Sequence, residues 1–214
     1  MKLALCGLIA VSCLAQQTVP TAREPHHHTV YEDARVRILD VQIEPRGSIL
    51  PHRHDSDYVW VDDTGLHFSR AGDSHVERNH EIIVELLQPQ TSPRNVCGEV
   101  LAGEYLHCHE PGSEWLGANF EIIFETDQTR IGIVQIAPNA TLAVPPADVP
   151  PLLIALEGTE AEAVTHANGA PAGSLRRSVT AANVLRSTAD QVTEIRNTGT
   201  PARFLVVEFG GPGE

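Results

Sequence analysis

Residues 31–45, YEDARVRILDVQIEP, return 93 positions later as residues 124–138, FETDQTRIGIVQIAP, with seven of fifteen positions identical. An internal repeat constrains a fold more than any local propensity does, because two copies of one sequence call for two copies of one structural unit. The continuations differ. The first copy runs on as Gly47-Ser-Ile-Leu-Pro-His52-Arg-His54, the second as Ala140-Thr-Leu-Ala-Val-Pro145-Pro-Ala147. At the common offset His52 becomes Pro145 and His54 becomes Ala147. Imidazole chemistry is therefore expected in the first copy and not in the second.

Both copies read as short β-type runs. In the first these are 36–43, 58–61 and 82–86; in the second, 131–136, 152–156, 192–195 and 204–209. They are rich in β-branched and aromatic residues, with Gly, Pro, Asp and Asn between them. No segment sustains a helical apolar period, so an all-β barrel or sandwich is expected. Asn79 matches Asn197 at an offset of 118, so the second copy carries about 25 more residues between its halves (118 − 93). We read the difference as a strand pair kept in the second copy and cut from the first. Residues 158–173, rich in Ala, Gly and Pro, are a loop or hairpin excursion on this reading. The chain divides into a flexible lead-in at 16–30, a first lobe at 31–87, a connector at 88–123 and a second lobe at 124–211.

Ahead of the lead-in, Lys2 precedes an apolar stretch, residues 3–14, that closes on small residues at Ala15. This is the pattern of a secretory signal cleaved after Ala15, and the stretch is too short to span a bilayer. A buried N-terminal strand is one alternative. A lipid anchor on Cys13, through the run Ala10-Val11-Ser12-Cys13, is another. A secreted or periplasmic protein with no membrane-spanning segment left is expected. Removing Lys2, the only lysine, takes the net charge from −13 to −14 (−13 − 1). With this acidity and scattered arginines, nucleic acid and anionic membranes are poor partners. A small-molecule ligand and a second copy of the chain, as a homodimer, are the candidates that remain.

The first lobe holds the chemistry. It reads Gly47-x4-His52-x-His54-x2-Asp57-x7-Gly65, then Arg70-x-Gly72-x2-His75-x3-Asn79. Residues two apart on a strand share a face, so His52 and His54 project together into one interior. A third imidazole and a carboxylate would complete a ligand set with open positions for water, oxygen or substrate. At these residues the chain resembles the cupins, and specifically the two-domain bicupins. Their pattern is G-x5-H-x-H-x3,4-E-x6-G followed by G-x5-P-x-G-x2-H-x3-N. Gly47, His52, His54, Gly65, Gly72, His75 and Asn79 match it. The family's glutamate is missing, with Asp57 the nearest substitute. Gly47 is one residue close, Arg70 replaces a proline, and Gly65 serves both motifs. The likeness spans about residues 31–87 and, without its site, 124–209.

The resemblance implies two tandem cupin-like β-barrels of the jelly-roll, double-stranded β-helix kind, the first shortened. It implies one divalent transition metal per chain (Fe, Mn, Ni, Cu or Zn), held by His52, His54, His75 and Asp57. Asp57 or Glu77 would act as ligand or general base, and Tyr58 is a candidate substrate contact. The second lobe, with Thr193 at the place of His75 and His166 in the excursion, should be metal-free. His26-His27-His28 is expected to be a solvated tract, His67 and His80 surface residues, and Trp60 and Trp115 packing residues. The activity implied is an oxygenase- or isomerase-type enzyme on a small organic molecule; the alternative is a binding module without turnover.

Cys6 and Cys13 fall in the signal, which leaves Cys97 and Cys108. A hairpin turn at Ala102-Gly103 would place the two sulfurs directly across a ribbon, within bridging distance. The alternative uses His107, Cys108 and His109 as metal ligands. A disulfide is expected in an oxidising compartment and should stabilise by about 2–3 kcal/mol. Thiol counting on denatured, air-oxidised protein lacking residues 1–15 should find no free thiol; two would exclude the bridge.

Overall fold

The computed structural model describes residues 18–62, 65–73, 75–77, 79–91, 95–96, 120–144, 148–167, 170–186 and 192–210. Cys97, Cys108, Trp115, Pro145, Ala147 and the proposed signal lie outside them, as does most of the connector. Among the described residues the structure is β throughout, apart from one 3-10 turn at Thr21–Arg23. The first copy supplies β1 (Val19–Pro20), β2 (His27–Glu32), β3 (Val36–Gln42), β4 (His52–Arg53), β5 (Asp57–Val61), β6 (Leu66–Ser69) and β7 (His80–Leu86). After β8 (Asn95–Val96), the second copy supplies β9 (Phe120–Glu125), β10 (Thr129–Ile136), β11 (Thr141–Val144), β12 (Leu152–Ala155) and β13 (Thr159–Ala167). It continues with β14 (Ala170–Val179), β15 (Val184–Arg186), β16 (Val192–Asn197) and β17 (Ala202–Phe209).

The second copy is a complete jelly roll. Its strands from β10 to β17 fall into two sheets, β15-β12-β17-β10 and β11-β16-β13-β14, with β9 and β8 extending the first. Counted in chain order, one sheet holds strands one, three, six and eight and the other holds two, four, five and seven. This is the wrapping of a double-stranded β-helix, an antiparallel double-sheet closure.

The first copy repeats only one of these sheets. Its order β3-β7-β5-β6 matches β10-β17-β12-β15 strand for strand, with β2 on the edge where β9 sits. The registers agree as well. Val59 lies opposite Val84 and Phe68, as Leu152 lies opposite Val207 and Arg186. Leu152 follows Val59 by 93 positions (152 − 59) and Arg186 follows Phe68 by 118 (186 − 68). The extra 25 residues therefore fall between these strands, where the β13–β14 hairpin stands in place of a short link in the first copy, across which the Asp62 N–H donates to the Gly65 carbonyl. Among the described residues, the two-residue β4 alone represents the second sheet in the first copy.

What pairs with β4 corrects the sequence reading. The lead-in, expected to be flexible, carries β1, which runs parallel to β4 with Val19 opposite His52 and Pro20 opposite Arg53. The Thr21 hydroxyl donates to the Arg53 carbonyl at 2.8 Å. Thr21, Glu24 and His27 are all buried. This polar segment lacks apolar periodicity, and its partners are backbone groups that no sequence pattern exposes. It takes part of the place of the missing sheet.

Side chains alternate across each sheet, and this makes three layers. One face of the first copy's sheet (Val36, Ile38, Val59, Phe68, Val84) packs against one face of the second copy's sheet (Phe124, Ile131, Leu152, Leu205, Val207). Burying each such side chain is worth about 1.5–3 kcal/mol, so the two copies cannot part without unfolding. The far face of the second sheet fills an apolar jelly-roll interior around Phe120, Leu153, Phe204 and Val206. The far face of the first sheet has only a small apolar cluster of Leu39, Val41, Tyr58, Trp60 and Ile83. Buried Glu81, Glu85 and His54 share the first copy's interior.

The matched asparagines have diverged in role. Asn197 is 1% exposed. Its amide donates to the carbonyls of Ile136 and Thr200 and accepts from the Thr159 hydroxyl and the Gly199 N–H. Asn79 is exposed, has φ +38° and uses its backbone carbonyl to accept from the Ile43 N–H. Asn197→Ala strands several buried groups and should destabilise by about 2–3 kcal/mol, against less than about 1 kcal/mol for Asn79→Ala. Urea unfolding of the two variants tests the order.

Candidate metal centre

His52 and His54 flank Arg53 on β4 and point to the same side, while the Arg53 side chain stands in solvent and pairs with Asp55. The segment facing them is pinned at both ends. Gly72, at φ +87°, donates its N–H to the His54 carbonyl at 2.9 Å, and the Asn79 carbonyl accepts from Ile43 at 2.7 Å. An L side chain is strained at that φ, which accounts for a glycine at 72. Pinning carries Glu77 inward, where its side chain is 1% exposed. From the opposite side comes His27, at the start of β2 and opposite Val41.

One nitrogen from each of these three imidazoles and one oxygen of Glu77 lie within 4.8 Å of one another. Glu77 Oε1 is 2.8 Å from His52 Nε2, 3.1 Å from His27 Nε2 and 3.8 Å from His54 Nε2. A tetrahedral centre with bonds of about 2.0–2.1 Å has edges of about 3.4 Å, so this spread brackets such a cage.

The outer nitrogens decide what the inner ones can do. Nδ1 of His27 meets the Glu24 carboxylate at 3.0 Å, Nδ1 of His54 meets Glu85 at 3.0 Å, and Nδ1 of His52 meets the Leu50 carbonyl at 2.9 Å. Each of these acceptors requires a proton on Nδ1. Nε2 then faces inward, sharing a proton with Glu77 Oε1 at His27 and His52 or, where a cation displaces that proton, offering its lone pair, the arrangement that fixes metal-binding imidazoles. Glu24 is itself fastened by N–H groups of Leu50 and His26, and Glu85 by Arg37 at 2.8 Å. His54 Nε2 and Glu77 Oε2 are buried and have no hydrogen-bond partner among the described residues.

Charge points the same way. Glu24, Glu77, Glu81 and Glu85 are buried together, with Arg37 the guanidinium at Glu85. Burial resists ionisation of Glu77, but three imidazoles around it hold its carboxyl far below the usual range. Burial likewise opposes protonation of His52 and His54, yet the facing carboxylates push both upward. Burial also works against Glu24, and hydrogen bonds from His26, His27 and Leu50 bring it down to about 2. A set of inward nitrogens with surplus negative charge is matched to a cation.

The structure brings together two of the four ligands expected from sequence, His52 and His54, and places the other two elsewhere. Asp57 accepts from the Arg70 guanidinium at 2.8 Å and the Ala71 N–H at 2.9 Å, closing a loop away from the cage. His75 lies one step deeper. Its Nε2 meets Glu81 at 2.8 Å, its Nδ1 meets the Tyr58 hydroxyl at 3.1 Å, and its ring stacks on Trp60. Tyr58 is fully buried and stacks on His54 at 3.9 Å, an inner wall of the centre. His67 stacks on the other side of Trp60 rather than standing free on the surface, and His80, partly exposed, pairs with Asp40.

His27, Glu24 and Glu85 are absent from the sequence-derived set. One signal for Glu85 was readable: Glu81 and Glu85 lie four apart on an otherwise apolar strand, hence on one face. For His27 the signal was weaker, a triple histidine three residues after a glutamate. In the second copy, Thr193 sits opposite Val144 and Thr165 in a regular sheet. Pro145 and Ala147 fall outside the described residues.

No family profile matches the chain, and no curated protein does. Among solved structures it is similar to AerE from Microcystis aeruginosa, with 7% identity over 88% of this chain and 99% of that one and a TM-score of 0.48. A cupin domain from Bordetella pertussis Tohama I is 11% identical over 47% of this chain and 100% of that one, with a TM-score of 0.35. A conserved protein with a double-stranded β-helix domain from Klebsiella pneumoniae is 22% identical over 44% of this chain and 78% of that one, with a TM-score of 0.33. The assignment of fold rests on the strand order and register described above.

Proposed function

We propose that this protein is a metal-binding module whose first copy holds one divalent transition-metal ion through His27, His52, His54 and Glu77. The second copy serves as scaffold. The observation that carries the reading is the set of three Nδ1–H bonds to Glu24, Leu50 and Glu85, which aim three Nε2 atoms at one buried carboxylate. Three imidazoles and one carboxylate suit zinc, iron, nickel or copper better than calcium or magnesium. All four donors come from the protein and all are buried or nearly so, which favours a closed centre. If the N-terminal signal operates, the ion is acquired outside the cytoplasm.

A second reading, a metal-dependent oxygenase- or isomerase-type enzyme, is favoured by one feature. The His52 side chain keeps 10% of its surface exposed, against 0–2% for the other three ligands, so a small molecule would approach there. In that case the ion would act as a Lewis acid or redox centre, with Glu77 holding it and Tyr58 forming the inner wall.

Elemental analysis of protein loaded with Zn(II) should find one equivalent per chain. The His52→Ala/His54→Ala pair and Glu77→Gln should each lose it. Asp57→Ala and His75→Ala should keep it, because neither residue reaches the cage; loss in either would restore the ligand set expected from sequence.

Co(II) substitution separates the two readings. A closed centre should give a visible spectrum indifferent to added azide, whereas an open one should shift on addition.

A further inference from the structure

The N-terminal segment is held in place by polar groups alone. Within residues 18–28 the buried side chains are Thr21, Glu24 and His27, and no residue of the segment belongs to an apolar cluster. Its ties to the rest of the first copy are few and wet in kind. The Val19 N–H donates to the Pro51 carbonyl at 3.0 Å, the Thr21 hydroxyl to Arg53, and the Leu50 N–H to Glu24. The Gln42 N–H reaches the His26 carbonyl at 3.3 Å. Such bonds exchange with bonds to water at little net gain. The remaining ties are His27 and His28, which open β2 opposite Val41 and Asp40, and the His27 side chain, whose Nε2 faces Glu77 across 50 positions of sequence.

We propose that the ion works as a latch: by bonding His27, at the start of β2, to His52, His54 and Glu77 it holds the preceding residues 18–26 in the place of the missing sheet strands, and its removal releases them. The inference rests on the metal reading above and adds to it a conformational output.

The architecture supports this in two ways. The second copy closes its own barrel with β11, β16, β13 and β14 and needs no N-terminal segment to do so. In the first copy β4 has no neighbour among the described residues other than β1, and their pairing extends over two residues. His27 is the only cage ligand on the segment, and its outer nitrogen is clamped by Glu24 of the same segment. Coordination by His27 therefore fixes Glu24, and Glu24 in turn fixes the Leu50 N–H beside β4. A metal–ligand bond made in the folded state and absent in the released one contributes directly to the docked form.

Deuterium exchange of the full chain, read by mass spectrometry on peptides covering 18–26, tests the latch with Zn(II) as the probe. Protein loaded with Zn(II) and protein stripped with EDTA are compared, with bound zinc measured on the same samples. Stripping should speed exchange across 18–26 at least tenfold and leave β12 and β17 unchanged. His27→Gln should show the fast pattern even with zinc added. Zinc bound at one equivalent with no change at 18–26 overturns the latch and leaves the metal reading standing. Failure of wild type to take up zinc overturns both. Loss of protection in β12 and β17 as well would mean that the ion supports the whole fold, and the latch would again be wrong.

Discussion

A β-sheet has two faces, and each apolar one must be covered. In this chain the sheets of the two copies cover each other, through Val36, Val59 and Val84 on one side and Ile131, Leu152 and Val207 on the other. That apolar layer, together with the jelly-roll interior of the second copy, supplies most of the buried hydrophobic surface. The first copy's far face is thereby relieved of its usual task. It can carry Glu81, Glu85 and His54, residues whose burial costs free energy unless every partner is present. In the second copy the corresponding interior is apolar, and the barrel is complete. Shortening of the first copy and the polarity of its interior thus belong together.

The repeat made the architecture legible. Strands cost little to find, because a half-buried strand leaves an alternating trace, and the 25-residue discrepancy located the β13–β14 hairpin. The site was legible only in part, for physical reasons that differ between residues. His52 and His54 are two apart on extended chain, at the start of β4 and just past its end, so their common direction follows from the pleat. Glu77 and His75 are also two apart, but they lie on a segment that is not paired as a strand, where alternation no longer dictates direction. Gly72 and Asn79 pin that segment so that Glu77 enters the cage and His75 goes to Glu81 and Trp60. Asp57 was drawn away by a guanidinium thirteen residues on. His27 was hidden because its place comes from the pairing of β2 with β3, which sets it opposite Val41, on a polar stretch of sequence that leaves no strand trace.

The acceptors on the outer nitrogens deserve the same weight as the inner donors. Glu24, Glu85 and the Leu50 carbonyl each hold an Nδ1–H, and together they turn the Nε2 atoms of three histidines toward one point. Glu85 is steadied by Arg37, itself paired with Glu32 at the sheet's edge. The orientation of an inner ring is thus traced outward, through the sheet, to a salt bridge in water.

The spread of the ligands along the chain also sets when the cage can exist. His27 and Glu77 are separated by nearly the whole first copy, and only His52 and His54 are neighbours in sequence. An ion meeting the nascent chain finds two nitrogens on a flexible stretch. Closing the remaining distance requires β2 on β3, β3 on β7 and β7 on β5, and each closure carries an entropic cost. Assembly therefore runs in a fixed order, sheet first and ion last, and the ion reads out a completed fold instead of templating one.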